Sequence, residues 1–136
     1  MSNTASSSGV MAGKKGLIMG VANDRSIAWG IAAKLAEQGA ELAFTFQGEA
    51  LQKRVEPLAA SVGSDLVIPC DVTDEASMDA TFDVLQEKWG SLDFVLHAIA
   101  YSDKEELKGG YVDTSRDNFA RTMDISVYSF TDVARR

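Results

Sequence analysis

Lys15-Gly16-Leu17-Ile18-Met19-Gly20-Val21-Ala22-Asn23-Asp24-Arg25-Ser26-Ile27-Ala28-Trp29-Gly30-Ile31-Ala32-Ala33-Lys34-Leu35 is the stretch that decides the fold. A short apolar run, Gly16 to Met19, reads as a strand. Gly20 to Arg25 is a loop of small and polar residues. From Ser26 onward apolar residues fall at Ile27, Ala28, Ile31, Ala32 and Leu35, the spacing of an amphipathic helix. Strand, tight loop and helix place a helix N-terminus at the carboxyl end of a strand. Unpaired N–H groups and the positive end of the helix dipole meet there, a setting that suits an anion such as a pyrophosphate. Gly20 is expected to keep the approach to that spot clear, and Gly30 to let the helix lie close to the sheet. Ser26 can cap the helix or give its hydroxyl to a phosphate. No glycine lies between Gly20 and Gly30, so the spacing is not the standard G-x-G-x-x-G fingerprint.

Outward from this unit the pattern repeats. Glu41 to Phe46 reads as a second strand, closed by Gln47-Gly48. Leu51, Val55, Leu58 and Val62 mark a second helix, in which Pro57 predicts a kink or an early break. Leu66 to Cys70 is a third strand, apolar throughout, as in a strand covered on both faces. Asp71-Val72 follows, and Thr73 or Asp74 caps a third helix with a buried stripe of Met78, Phe82, Leu85 and Trp89. Leu92 to Ala100 contains a fourth strand. A long polar loop runs from Tyr101 to Asp113. Thr114 with Asp117 resembles a capping box, opening a fourth helix with a stripe of Phe119, Met123, Ser126/Val127, Phe130 and Val133. Ile125 and Tyr128 give that helix a second apolar side, suited to a further layer or another subunit.

Strand and helix alternating four times predict an α/β fold: a Rossmann-type, doubly wound parallel sheet with helices on both faces and strand order 3-2-1-4. The 136 residues suffice for one core. Met1 to Gly13, rich in Ser, Ala and Gly, predicts a disordered tail with no secretory character, and the nucleotide-binding domain is expected over 14–136. The chain stops at Arg136 within the fourth helix, which suggests a domain truncated after strand four. With 13 Lys+Arg against 20 Asp+Glu the net charge is −7, which argues against nucleic acid and anionic membrane as partners. No window has the apolar length of a membrane span. One cysteine, Cys70, allows no internal disulfide and suits a cytoplasmic setting. With a single histidine, His97, distant in sequence, it makes no zinc site. Cys70 reads as a small buried hydrophobe, His97 as a core histidine, and Trp29 and Trp89 as packing residues.

Five segments taken together resemble bacterial enoyl-acyl-carrier-protein reductases, an NADH-dependent and divergent branch of the short-chain dehydrogenase/reductase superfamily. They are Gly20 to Gly30, Gly39 to Gln47, Cys70-Asp71-Val72, His97-Ala98-Ile99-Ala100-Tyr101, and Asp124 to Phe130. The resemblance implies that Gly20, Ser26 and Ile27 hold the pyrophosphate and the neighbouring ribose. It implies that Asp71 and Val72 meet the adenine, that Ile99 lies under the cofactor, and that Ser102 borders the acyl pocket. An Asp after a strand also commonly caps the next turn, which is the plainer reading of Asp71. Gln47 stands where NAD enzymes place an acid and NADP enzymes keep an Arg nearby. The residues therefore leave NADH and NADPH open, and the resemblance favours NADH. Ala100 stands where many relatives have glycine, which bears on inhibitor response more than on catalysis. The implied reaction is reduction of a trans-2-enoyl group on acyl-carrier-protein in fatty acid elongation, by a homotetramer in the full-length enzyme. The superfamily's catalytic Tyr and Lys fall beyond Arg136, so no catalytic residue is assigned here and the 136-residue chain alone is expected to be inactive. Tyr101 and Lys108 imitate the spacing of that pair but sit in a loop. Two other readings stay open: a small non-catalytic nucleotide-binding module, and a short-chain reductase for sugars or steroids, which the Ser26 spacing and Gln47 disfavour.

Overall fold

The computed structural model describes residues 9–136. Four parallel strands, β1 (Lys15–Met19), β2 (Glu41–Phe46), β3 (Val67–Pro69) and β4 (Phe94–His97), form one sheet in the order β3-β2-β1-β4. The crossovers are α1 (Ile27–Glu37), α2 (Glu49–Ser61) and α3 (Glu75–Lys88). The strand order reverses between β1 and β4, which are paired from Gly16–Phe94 to Met19–His97. This is the expected doubly wound order, with its switch point where β1 and β4 end side by side.

Alternation of side chains along the central strands builds two cores. On one face Ile18, Leu42 and Phe44 meet Ala28 and Ala32 of α1 and Val55 and Ala59 of α2. On the other, Leu17, Met19, Ala43 and Ile68 meet Met78 and Leu85 of α3, together with Cys70 and Val133. The helix contacts with the sheet are made by small residues. Ala28 and Ala32 are buried, whereas Gly30 is exposed and a Cβ there would meet nothing. The expectation that Gly30 lets α1 lie close to the sheet is therefore corrected.

The helix ends follow local chemistry. Gly39, at φ 99°, closes α1 with paired bonds from its own N–H to the Ala36 carbonyl and from the Ala40 N–H to the Leu35 carbonyl. Asp74 caps α3, accepting from the Ala76 and Ser77 amides. Helix α2 runs unbroken through Pro57 to Ser61, contrary to an early break, because Val55 and Ala59 on either side of the proline are fully buried and hold it down. Ser115, not Thr114, caps the fourth helix, accepting from the Asn118 amide. Its own amide and hydroxyl donate to the Glu106 carboxylate at 2.6 and 2.8 Å, so a loop residue completes the cap. That loop is not structureless. It carries two 3₁₀ turns, Lys104–Leu107 and Tyr111–Asp113.

The fourth helix departs most from the sequence pattern. It consists of α4 (Arg116–Met123), a π-helical turn (Asp124–Tyr128) and α5 (Ser129–Arg135). Asn118, Ser129, Asp132 and Val133 are buried, while Phe119, Met123, Val127 and Phe130, expected as the core stripe, lie exposed. Arg135 and Arg136 both donate to the buried Asp132 carboxylate, and Arg136 also reaches Asp79 of α3.

Gly9–Gly13, expected within the tail, form a turn in which the Met11 amide donates to the Gln38 carbonyl and Met11 packs against the core. The remainder of that tail, residues 1–8, lies outside the described residues. Among the described residues no helix is long and apolar enough to cross a membrane.

Candidate functional site

A cleft of about 450 Å³ opens at the carboxyl ends of the strands. Its floor is the switch point, with Gly20 to Ala22 leaving β1 and Ala98 to Tyr101 leaving β4. One end is closed by Thr45 to Gln47 at the tip of β2, Leu51 of α2, and Cys70 to Thr73 after β3. Of the residues singled out in the sequence, Gly20, Gln47, Asp71, Val72 and Ile99 converge here.

The loop after β1 owes its shape to two residues. Gly20 has φ 107°, and a Cβ there would overlap the Ala98 carbonyl oxygen. The glycine is thus required by the neighbouring strand end, a different reason from ligand clearance. Ser26 has the extended backbone of an N-cap but makes no capping bond; its Oγ accepts from the amides of Ala22 and Asn23 at 2.9 and 3.1 Å. Both lone pairs are used on the loop, so the hydroxyl proton remains to be donated elsewhere. The amides of Ile27 and Ala28, in the first turn of α1, donate to no protein acceptor among the described residues. The Ile27 side chain is 82% exposed and away from the cleft, so what this residue offers is its main chain.

Beyond β3 the Asp71 Oδ1 accepts from the Thr73 amide and hydroxyl at 2.9 and 2.7 Å. Oδ2 has no partner in the described structure, so this carboxylate both closes its own turn and offers an acceptor to the cleft. Cys70, beside it, is buried 3.5 Å from Met78 Sδ, and that burial raises its thiol pKa. Ser102 does not line the cleft. Its Oγ is held by Asn118 Nδ2 and Thr122 Oγ1, each at 3.2 Å. Tyr101 and Lys108 do not form a pair: Lys108 salt-bridges Glu105, while the Tyr101 ring lies 4.7 Å beneath the Arg121 guanidinium.

Among the lining residues not assigned to the site from the sequence are Arg121 and Ile125. They come from the fourth helix, whose apolar stripe had been taken as its inward face. Arg121 is the sole cation among the lining residues.

A doubly wound parallel sheet, with open amides and an acceptor carboxylate around a cleft at its switch point, defines a nucleotide-binding type of α/β domain. Within that class, the chain belongs to the enoyl-(acyl carrier protein) reductase family, whose model matches residues 20–136. It is 69% identical over 132 residues to enoyl-[acyl-carrier-protein] reductase [NADH] 1 of Rhizobium meliloti (strain 1021), covering 97% of this chain and 48% of that protein. Two solved structures superpose closely. FabI from Candidatus Liberibacter asiaticus has a TM-score of 0.92 at 57% identity, covering 93% of this chain and 49% of that one. The reductase from Anaplasma phagocytophilum, solved in complex with NAD, has a TM-score of 0.90 at 60% identity, covering 93% of this chain and 48% of that one. The chain thus spans about half the length of the curated relatives it matches.

Proposed function

We propose that this chain is the cofactor-binding portion of an NADH-dependent enoyl-[acyl-carrier-protein] reductase of fatty acid synthesis, a cytoplasmic enzyme that is a homotetramer at full length. The observation that carries the reading is the convergence of Gly20, Gln47, Asp71, Val72 and Ile99 on one cleft beside the open amides of α1. The residues fit a dinucleotide. The Ile27 and Ala28 amides and the Ser26 hydroxyl proton are donors for the pyrophosphate. The free Asp71 oxygen accepts from the adenine amino group, the Val72 main chain borders the ring, and Gln47 meets the adenosine ribose. Ile99 lies under the nicotinamide end. A 2′-phosphate would need a cation near Gln47. The cleft's Arg121 is engaged on Tyr101 instead, which supports NADH over NADPH.

Bound there, the coenzyme supplies the hydride that reduces the β-carbon of a trans-2-enoyl thioester carried on acyl-carrier-protein. This chain's residues orient the coenzyme and screen one side from water. Tyr101 is not assigned as proton donor for the developing enolate oxygen, since its ring stacks under Arg121 and Lys108 pairs with Glu105 instead. Ser102 serves the acyl side through its bonds to Asn118 and Thr122 rather than by direct contact from the cleft.

Calorimetric titration of the 136-residue chain is the test. Saturable binding of NADH, weaker binding of NADPH and no NADH oxidation with crotonyl thioester are expected. Absence of NADH binding would remove the reading, and nucleotide binding confined to ADP, with nothing gained from the nicotinamide half, would favour a plain nucleotide-binding module.

A further inference from the structure

Four polar side chains of one helix, Asn118, Thr122, Ser126 and Ser129, meet the segment from His97 to Asp103. After His97 the Ala98 amide makes the last bond to β1, donating to the Met19 carbonyl at 2.9 Å. Beyond it the chain has no strand partner among the described residues. Its partners are side chains of the helix. His97 Nε2 lies 2.7 Å from Ser129 Oγ. The Tyr101 amide donates to Ser126 Oγ at 3.0 Å, and the same hydroxyl donates to the Tyr101 carbonyl at 3.2 Å. Ser102 Oγ is held by Asn118 and Thr122, and the Asp103 amide donates to Asn118 Oδ1 at 2.9 Å. Between the anchored points Ile99 and Ala100 make no main-chain hydrogen bond in the described structure, yet both line the cleft.

Ser126 is the member of this set bonded to a residue that lines the cleft, Tyr101. One hydroxyl satisfies both main-chain groups of Tyr101, the two bonds a neighbouring strand would otherwise supply. It lies within the π turn, three or four residues along the helix from Thr122 and Ser129. We propose that Ser126 is a positioning residue: by pinning the Tyr101 peptide it fixes the Ile99–Ala100–Tyr101 wall against which the nicotinamide half of the coenzyme rests. This inference depends on the dinucleotide reading above. It further predicts a division of labour within the cleft, since Gln47, Asp71 and Val72 at the adenosine end make no contact with the Ser126 hydroxyl.

The test titrates NADH and ADP separately into the 136-residue chain, its Ser126→Ala variant and its Ser126→Thr variant, with Tyr101 amide exchange followed by NMR. Ser126→Ala is expected to weaken NADH binding about fivefold, the effect of one or two partly exposed hydrogen bonds. ADP affinity should stay the same, the Tyr101 amide should exchange faster, and Ser126→Thr should restore both NADH affinity and protection. Unchanged NADH affinity in Ser126→Ala would overturn the assignment. So would equal losses for NADH and ADP, or a loss that threonine does not repair. An unaltered chain that binds no NADH would instead overturn the dinucleotide reading, and this inference with it.

Discussion

Gly20 carries two constraints at once: a positive φ of 107° and an Ala98 carbonyl where a Cβ would stand. Gly20→Val is therefore expected to lower stability by about 2 kcal/mol, the scale of a strained backbone position, and to weaken NADH binding as the loop shifts. Denaturant unfolding and calorimetry would read the two effects. His97 illustrates a titrating residue. The Ser129 hydroxyl spends its one proton on the Ile125 carbonyl at 2.6 Å, so His97 donates to it from Nε2, a bond that both the Nε2–H tautomer and the imidazolium can make. Burial lowers its pKa below the ordinary 6.5. The unfolded chain then binds the proton more readily than the folded one. The His97 contribution to stability is present above pH 6.5 and is lost as pH falls from there through the depressed folded value. His97→Gln keeps a donor toward Ser129 and cannot titrate. Its unfolding free energy should decline less than the unaltered chain's between neutral pH and pH 5 or so, and parallel declines would show that His97 does not titrate differently in the two states.

At the scale of elements, the contrast between α2 and the fourth helix is instructive. Pro57 removes one hydrogen bond from the interior of α2, yet the helix persists because its buried side is anchored before and after the proline. Pro57→Ala should restore that bond. Relief of about 3 kcal/mol of helix penalty, less about 1 kcal/mol for the looser unfolded chain, predicts a net gain near 2 kcal/mol. A lower melting temperature in the variant would contradict this. The strands, the β1–α1 turn and the Asp74 cap were legible because each is encoded by local periodicity or by one capping side chain. The face of the fourth helix was not. Its spacing is ordinary, with Asn118, Thr122 and Ser129 recurring at helical intervals, but the side turned inward is the polar one, so Phe119, Met123 and Phe130 were assigned inward while Asn118 and Ser129 took those places. Taking the apolar face as the inward one also left Arg121 and Ile125 out of the site. Gly20, Gln47, Asp71, Val72 and Ile99 lie together at one cleft because the ends of parallel strands converge by topology, although Asp71, Val72 and Ile99 were picked out by the family resemblance; the open amides at the start of α1 were foreseen from the strand–loop–helix pattern, and the bonds of Ser26 to its own loop were not.

For the whole molecule, the consequence of that orientation is an exposed apolar set. Phe119, Met123, Val127, Tyr128 and Phe130 are each 42–57% exposed along one continuous helix. Exposed apolar residues in this number suit a contact surface rather than a solvated one, and the expected occupant is a second copy of the same helix. The cleft lies at the strand ends and shares none of these five residues, so association and coenzyme binding should be separable. Sedimentation velocity at micromolar concentration is expected to show the chain as dimer or larger. Val127→Glu combined with Phe130→Glu should shift it toward monomer, because two carboxylates cannot be desolvated without partners. The double variant should keep the NADH affinity of the unaltered chain, since neither side chain holds the Tyr101 peptide or lines the cleft. A chain that sediments as monomer at every concentration would show that this face does not pair with its own copy. A double variant that lost coenzyme along with association would show that the helix transmits its packing to the cleft through Ser126.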